Sequence, residues 1–283
     1  MMTKIFKDKK EPLYNRQTRF MSIKPFTPAV LKEIMAEYNP NYTSEDLLAL
    51  YSFTGGVAKY VQLLVDAGAT TKTKMLNHII KADSVFLGEG KAILIEEFGK
   101  DYGVYFSILS AIARGKTLRS EIEQIVGREI GGYLTKLEKE YEIITKNQPI
   151  FEKSSTKNVR YTIEDNFFTF WFRFIYKYNY MLEIENFDAV KTIINRDYET
   201  FSGKMLERYF KRVLMESKAY TRIGSWWDRK GENEIDIVAE NELNDEAVFI
   251  EVKRKEDSFD AIALNEKVDV FTRATGKFKD YTV

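Results

Sequence analysis

The sequence contains no cysteine. That excludes disulfides, zinc held by thiolates and cysteine nucleophiles. Histidine occurs once, as His78 in "LNHIIK". A single imidazole excludes multi-histidine metal centres and argues against a Ser-His-Asp triad; with no partner motif, it reads as a helical surface or packing residue. Net charge is also missing, with 43 Lys and Arg against 43 Asp and Glu. No global field draws the chain to nucleic acid or membrane, so any such affinity is local. The longest apolar-looking stretch, "FFTFWFRFIYKYNY", is interrupted by Arg173 and Lys177 and is too short and too charged to span a bilayer. The basic N-terminus, "MMTKIFKDKKEPLYNRQTRF", lacks the apolar segment of a signal peptide. These absences predict a cytoplasmic protein with no membrane partner. The side chains left for chemistry are carboxylates, Lys, Arg and Tyr.

What is present suffices for a sizeable core. With 44% hydrophobic and 30% charged residues, 283 residues make one large or two to three small domains. Residues 1–27 read as irregular, with "MSIKPF" a short strand ended by Pro25. A helical block follows to about residue 103. "TPAVLKEIMAEY" starts with Thr27 as cap and Pro28 at the first helical position. "TSEDLLALYSFTGG" is capped by Thr43 or Ser44 and closed by Gly55-Gly56, "VAKYVQLLVDAG" stops at Gly68, and "TKTKMLNHIIKADSVF" and "GKAILIEEFGKDYG" complete the block.

Residues 104–163 follow a different pattern. Three short helices, "VYFSILSAIARG", "TLRSEIEQIVG" capped by Thr117 and "REIGGYLTKLEKEY", precede two short strands around a polar loop. That is the winged helix-turn-helix order. The third helix is the recognition candidate, with Arg128, Lys136 and Lys139 near one side, and Lys146, Lys153, Lys157 and Arg160 lie in the hairpin. Nine Lys and Arg against seven Asp and Glu between 116 and 160 make a thin footprint for DNA. Packing between domains is the equal alternative.

Residues 164–200 are an aromatic-rich bridging segment. Rings on more than one face suit a core or interdomain helix better than a base-stacking platform. From 201 to 283 the order is helix, three strands, helix. In "SWWDRKGENE", Trp226 and Trp227 alternate faces, one packing inward and one free to line a groove, while Arg229 and Lys230 can touch phosphate or sit in a solvated turn.

The stretch "NEIDIVAENELNDEAVFIEVKRKED" carries the chemistry. Read as a hairpin, it places Ile235 and Ile237 on one face with Glu234 and Asp236 opposite. "AVFIEVKR" puts Phe249, Glu251 and Lys253 together. Asp236 and Glu251 can then converge, and two carboxylates suit a hard ion such as Mg²⁺. Lys253 can position a water or offset charge on a phosphoryl oxygen. The alternative is a solvated face on which Lys253 is an ion-pair partner of little energetic consequence.

These residues resemble the PD-(D/E)XK nuclease-like superfamily. Asp236 matches its first acid, Glu251-Val252-Lys253 its (D/E)xK element and Glu207 in "GKMLERYF" the extra helical acid, although Ile235 stands where the motif has Pro. The resemblance implies catalytic roles for Asp236, Glu251, Lys253 and Glu207, with Mg²⁺ on Asp236 and Glu251.

A second resemblance covers nearly the whole chain. "PLYNRQTRFMSIKPF", "YSFTGGVAKYVQLL", "YTIEDNFFTFWFRFIYKY", "FSGKMLERYFKRVL", "IGSWWDRKGENEIDIVA" and "IEVKRK" look like the C-terminal two-thirds of the archaeal-type P-loop ATPase family. It implies an α+β chain: a helical lid remnant (1–103), a winged helix (104–163), an aromatic bridge (164–200) and a restriction-endonuclease-like sheet domain (201–283). No GxxxxGK[ST] segment is present. ATP is therefore expected only in full-length relatives, where Arg16 would close the nucleotide-binding core. The implied function is a DNA-binding, nuclease-like module with Arg128, Lys136, Lys139 and Arg229 on nucleic acid. The alternative is a non-catalytic regulatory segment that binds DNA, an ATPase core or another protein.

Overall fold

The computed structural model describes Pro12, Tyr14, Arg16, Thr18, Met21 and residues 23–152 and 157–278. The first helix, α1 (Pro28–Tyr38), begins at the capping signal, with the Val30 N–H donating to Thr27 Oγ1 at 3.2 Å. The second, α2 (Ser44–Thr54), opens on a reciprocal cap: the Thr43 N–H donates to Asp46 Oδ2 at 2.9 Å and the Asp46 N–H donates to Thr43 Oγ1 at 3.2 Å. It ends at Gly55, which takes the left-handed conformation with φ 62°. At Gly56, a Cβ would lie 2.5 Å from the Phe26 carbonyl oxygen. There the incoming chain pairs with the turn through the Phe26 N–H, 2.7 Å from the Gly56 carbonyl. Met21 and residues 23–27 form no strand, contrary to the reading of "MSIKPF"; Ser22 lies outside the described residues.

Helices α3 (Ala58–Asp66), α4 (Lys72–Ile79), α5 (Val85–Phe98) and α6 (Tyr102–Ala113) complete the block. The helix expected over 71–86 breaks after Ile79, where Ile80 leaves helical geometry (φ −103°, ψ 76°); Asp83 then turns left-handed at φ 56° and α5 starts afresh behind it. Helices α7 (Arg119–Val126) and α8 (Gly131–Lys139) and the antiparallel strands β1 (Ile144–Asn147) and β2 (Arg160–Ile163) follow in the three-helix-then-hairpin order. Thr117 does not cap α7. The helix starts one residue later, with the Leu118 N–H on Glu121 Oε2 at 3.2 Å. The Thr117 carbonyl instead accepts from the Tyr161 N–H at 2.8 Å, fastening the hairpin to the α6–α7 turn.

The aromatic segment folds as α9 (Asn166–Phe170), a π-helical stretch (Trp171–Tyr176) and α10 (Asn179–Glu183). Phe167, Phe170, Trp171, Phe172 and Phe174 are buried in a continuous core that runs from Leu31 to Met205, so the rings are packing and not a stacking platform. The two helices read on either side of residue 200 are one, α11 (Phe187–Ser217), 31 residues long. Its first half contributes Val190, Ile194, Tyr198 and Phe201 to that core. The C-terminal part is an antiparallel sheet in the order β3 (Arg222–Trp227), β4 (Glu234–Asn241), β5 (Glu246–Ile250), followed by α12 (Ala261–Thr275). Together the helices and small antiparallel sheets make an α+β chain.

A second, smaller core joins Ile150, Trp226, Ile235, Val238, Ala247, Phe271 and Phe278. Ile150 comes from the β1–β2 connection. Its N–H donates to the Ser225 carbonyl at 2.9 Å, and its side chain occupies the space a Cβ on Gly224 would need. The hairpin therefore docks on the sheet.

Candidate active site

The last ladder pair of β4 and β5 is Ile237 with Ile250, so one more step of register sets Asp236 opposite Glu251. Directly opposed residues of an antiparallel pair share a face. The strand expected through Arg254 stops at Ile250, because the Val252 N–H turns to Asp236 Oδ2 at 2.8 Å. On the other side, β4 carries one extra residue between the Gly224–Val238 and Trp226–Ile235 pairs, a bulge at Asp236 and Ile237. Bulges re-aim side chains at sheet ends. Asp236 thus sits just past the end of the β4–β5 ladder and at a bulge of the β3–β4 ladder.

Glu251 is only 11% exposed at its side chain. Its Oε1 accepts from Lys253 Nζ at 2.7 Å and from Lys267 Nζ at 3.0 Å, and its Oε2 accepts from Lys267 Nζ at 2.9 Å. Glu207 reaches the same region from α11 and pairs with Lys204 one turn earlier, at 2.9 Å. Burial, followed by the negative charge of Glu251, pushes the Asp236 carboxyl up; the Val252 N–H and the ammoniums of Lys204 and Lys253 offset part of it. Burial likewise raises Glu207, and the Asp236 charge adds to it. Burial opposes ionisation of Glu251, but its contacts with Lys253 and Lys267 hold it below the ordinary range. Lys253 is raised, first by Glu251 and further by Asp236 and Glu207. The four sequence-read residues therefore share one electrostatic neighbourhood, with Asp236 and Glu251 driven in opposite directions. Among the described residues, no three Asp, Glu or His side chains gather closely enough to hold one ion between them. Mg²⁺ commonly takes one or two protein carboxylates plus waters and substrate oxygens. The Asp236–Glu251 pair fits that demand, and two ammonium groups already stand as cations on Glu251.

Sequence reasoning missed Lys204, Lys267 and Arg254. Lys204 was legible as an i,i+3 partner of Glu207. Lys267 had only a helical signal, one turn before the buried Phe271. Arg254 pairs with Glu45 Oε2 at 2.7 Å, donates to Ser202 Oγ and lies over the Tyr198 ring, tying the loop after Glu251 to α2 and α11.

The expected nucleic-acid residues stand apart from this cluster. Arg128 is exposed before α8, its guanidinium 5.8 Å from the Tyr133 ring centre, and Lys136 and Lys139 are exposed on α8. Arg229 is exposed in the β3–β4 turn, which Asp228 closes by accepting from the Glu232 and Asn233 N–H groups. Trp227 does not line a groove: both tryptophans are buried. The Trp227 indole donates to Asn158 Oδ1 at 2.9 Å, and Arg160 lies 4.4 Å over its ring while pairing with Glu234 at 2.8 Å. Arg160 is thereby used in docking. Lys146 and Lys157 remain exposed, and Lys153 lies outside the described residues. Arg16 is exposed, and His78 is partly buried on α4 with its ring edge-on to Phe86.

Residues 171–273 match a family described as "Archaea bacterial proteins of unknown function" (DUF234). Over 262 residues the chain is 33% identical to the uncharacterized protein MJECL04 of Methanocaldococcus jannaschii, an alignment covering 87% of this chain and 56% of that protein. The chain thus spans about half the length of this curated relative. No solved structure matches it. Among the described residues, no helix is long and apolar enough to cross a membrane.

Proposed function

We propose that the end of the β4–β5 hairpin, with α11 and α12, is a Mg²⁺-dependent phosphodiester-hydrolysing site of PD-(D/E)XK type acting on nucleic acid. The observation that carries the reading is the β4–β5 register, which continued one step past Ile237–Ile250 brings Asp236 opposite Glu251, with Lys253 on Glu251 Oε1 and Glu207 within the field of both Asp236 and Lys253. Asp236 and Glu251 would hold the ion. When bound, Mg²⁺ supplies Lewis-acid polarisation of a phosphoryl oxygen and acidifies a water. Lys253, 37% exposed and on a segment outside any strand, can turn from Glu251 toward an attacking water or a charged phosphoryl oxygen. Glu207, raised by burial, holds its proton to a higher pH than an ordinary carboxyl and is the proposed donor. Arg128, Lys136 and Lys139 on and before α8 are the proposed DNA-backbone contacts, and Arg229 a separate one beside the sheet. The sequence has no GxxxxGK[ST] phosphate loop, Ser110 standing where the motif before Gly115-Lys116-Thr117 would need its first Gly, so ATP turnover is not assigned to this chain.

The test is plasmid and single-stranded DNA incubated with the purified chain and Mg²⁺ or Mn²⁺. Cleavage is expected to require the ion and to fall by about a hundredfold or more in Lys253→Ala, the scale of a lost electrostatic or proton-transfer group. No cleavage, or cleavage indifferent to Lys253→Ala, removes the hydrolytic reading. A regulatory, non-catalytic segment is the second reading. It is favoured by the docked hairpin, which spends Arg160 on internal packing, and by the Arg254–Glu45 tie, which fastens the loop after Glu251 to the helical body. Salt-dependent DNA binding indifferent to divalent ions would support it.

A further inference from the structure

We infer that Lys267 is a built-in counter-ion that occupies Glu251 until a divalent cation and a phosphodiester arrive together, so that neither binds well alone. The inference rests on the two-carboxylate site proposed above. Glu251 receives three N–H contacts, two on Oε1 and one on Oε2, from two ammonium groups. A carboxylate offers roughly four acceptor positions, so little of Glu251 is left for an ion. The two lysines are not equivalent. Lys253 is the more exposed and lies on a segment outside any strand. Lys267 is delivered by a helix whose position is fixed: Phe271, one turn on, is fully buried against Trp226, Phe249 and Phe278. It alone spans both oxygens of Glu251, and its side chain is 26% exposed.

A divalent ion on Glu251 would face this positive charge at contact range, where repulsion is strong at low effective dielectric. A phosphodiester offers the ammonium another anion at the same place. Once Lys267 leans onto phosphate, Glu251 is freed for the ion. By linkage, the ion must then favour the phosphodiester by the same factor. Lys267 is a positioning residue in this scheme: it acts through Glu251.

The experiment is calorimetric titration of Mn²⁺ into the full 283-residue chain and into Lys267→Met and Lys267→Arg. Each is run with and without a phosphorothioate-linked single-stranded DNA oligonucleotide. In the unaltered chain, the oligonucleotide is expected to tighten Mn²⁺ binding. Lys267→Met should bind Mn²⁺ about tenfold more tightly without DNA, the scale of one charge-assisted contact removed, and gain nothing further from DNA. Lys267→Arg, which keeps the charge and can grip both oxygens, should behave as the unaltered chain does; a merely structural role would make both variants alike. Circular dichroism checks folding, and Lys267→Gln replaces Lys267→Met if the latter does not fold. The inference is overturned if the unaltered chain binds Mn²⁺ and Lys267→Met binds it equally, or if DNA tightens binding in both. If none of the chains binds Mn²⁺ with or without DNA, the two-carboxylate site itself fails, and this inference with it.

Discussion

The helical body and the end of the C-terminal sheet both keep carboxylates out of full solvent, but they hold them with different donors. In the body, Asp46 is 8% exposed, and it is satisfied by the Thr43 N–H at 2.9 Å, the Thr43 hydroxyl at 2.8 Å and the Lys72 N–H at 2.7 Å. Backbone donors cannot leave without unfolding the turn that presents them. At the sheet end, Glu251 and Glu207 are held by lysine ammonium groups, on side chains that can move away at the cost of rotamer changes alone. Asp236 lies between the two cases, with Oδ2 on the Val252 N–H. The difference teaches a way to sort buried acids. One fixed by main-chain donors is scaffolding, and one neutralised by mobile cations can exchange those cations for a ligand.

The cores differ in the same sense, and mutation separates them. Phe170 is fully buried, with ring centres at 4.8 Å from Phe53, 5.5 Å from Phe174 and 6.0 Å from Phe201. Phe170→Ala is expected to cost about 3–5 kcal/mol in urea denaturation and to weaken the whole body, because that core is continuous from α1 to α11. Phe271→Ala removes the hub of a core with seven buried members. Its cost is about 3 kcal/mol, at the low end of the same range, and it should be local. Hydrogen exchange should accelerate in residues 222–250 while α2 and α9 keep their protection. Equal loss of protection in both regions would mean that the two cores fold as one unit.

Much of this was legible in the sequence where the signal was local. Thr27-Pro28, Thr43 or Ser44, and Gly55 mark helix ends by chemistry confined to a few residues, and the strand "EIDIVAEN" has the observed bounds of β4. Alternation puts Asp236 and Glu251 on one face, and the β4–β5 ladder ends one step short of that pair, at Ile237 with Ile250. What was not legible depends on distant partners. The early end of β5 depends on the Asp236 side chain taking an N–H from across the hairpin. Alternation leaves one of Trp226 and Trp227 free to line a groove, but Asn158 and Arg160, 69 and 67 positions before Trp227, close over it. Lys267 reaches Glu251 because α12 packs through Phe271, a fact of tertiary packing with no sequence spacing to announce it. The domain boundary expected at residue 200 falls inside α11, which the burial of Tyr198, Phe201 and Met205 carries through.

The contrast between fixed and exchangeable donors has a smaller but sharper consequence in pH. Burial disfavours the Asp46 carboxylate, but the Thr43 and Lys72 N–H groups outweigh it and hold the group below its ordinary 3.8. A depressed carboxyl contributes stability that is present above 3.8 and lost as pH falls through its folded value. Asp46→Asn should therefore cost about 1 kcal/mol at pH 7, the usual scale of a lost cap, with the gap to the unaltered chain closing in more acid solution. Glu207 has the opposite sign. Burial, then the Asp236 charge, raise it above 4.5, so its favourable contribution is present below 4.5 and lost as pH rises through the folded value. Glu207→Gln should match the unaltered chain near pH 4 and become equally or more stable toward pH 7. Urea midpoints at half-unit steps from pH 3 to pH 7 measure both gaps. If they open in the same direction, donor type does not distinguish the two acids, and the sorting of scaffold from exchangeable carboxylates fails with it. If they open in opposite directions, removing Glu207 relieves the fold at neutral pH, which is the mark of a charge retained against stability.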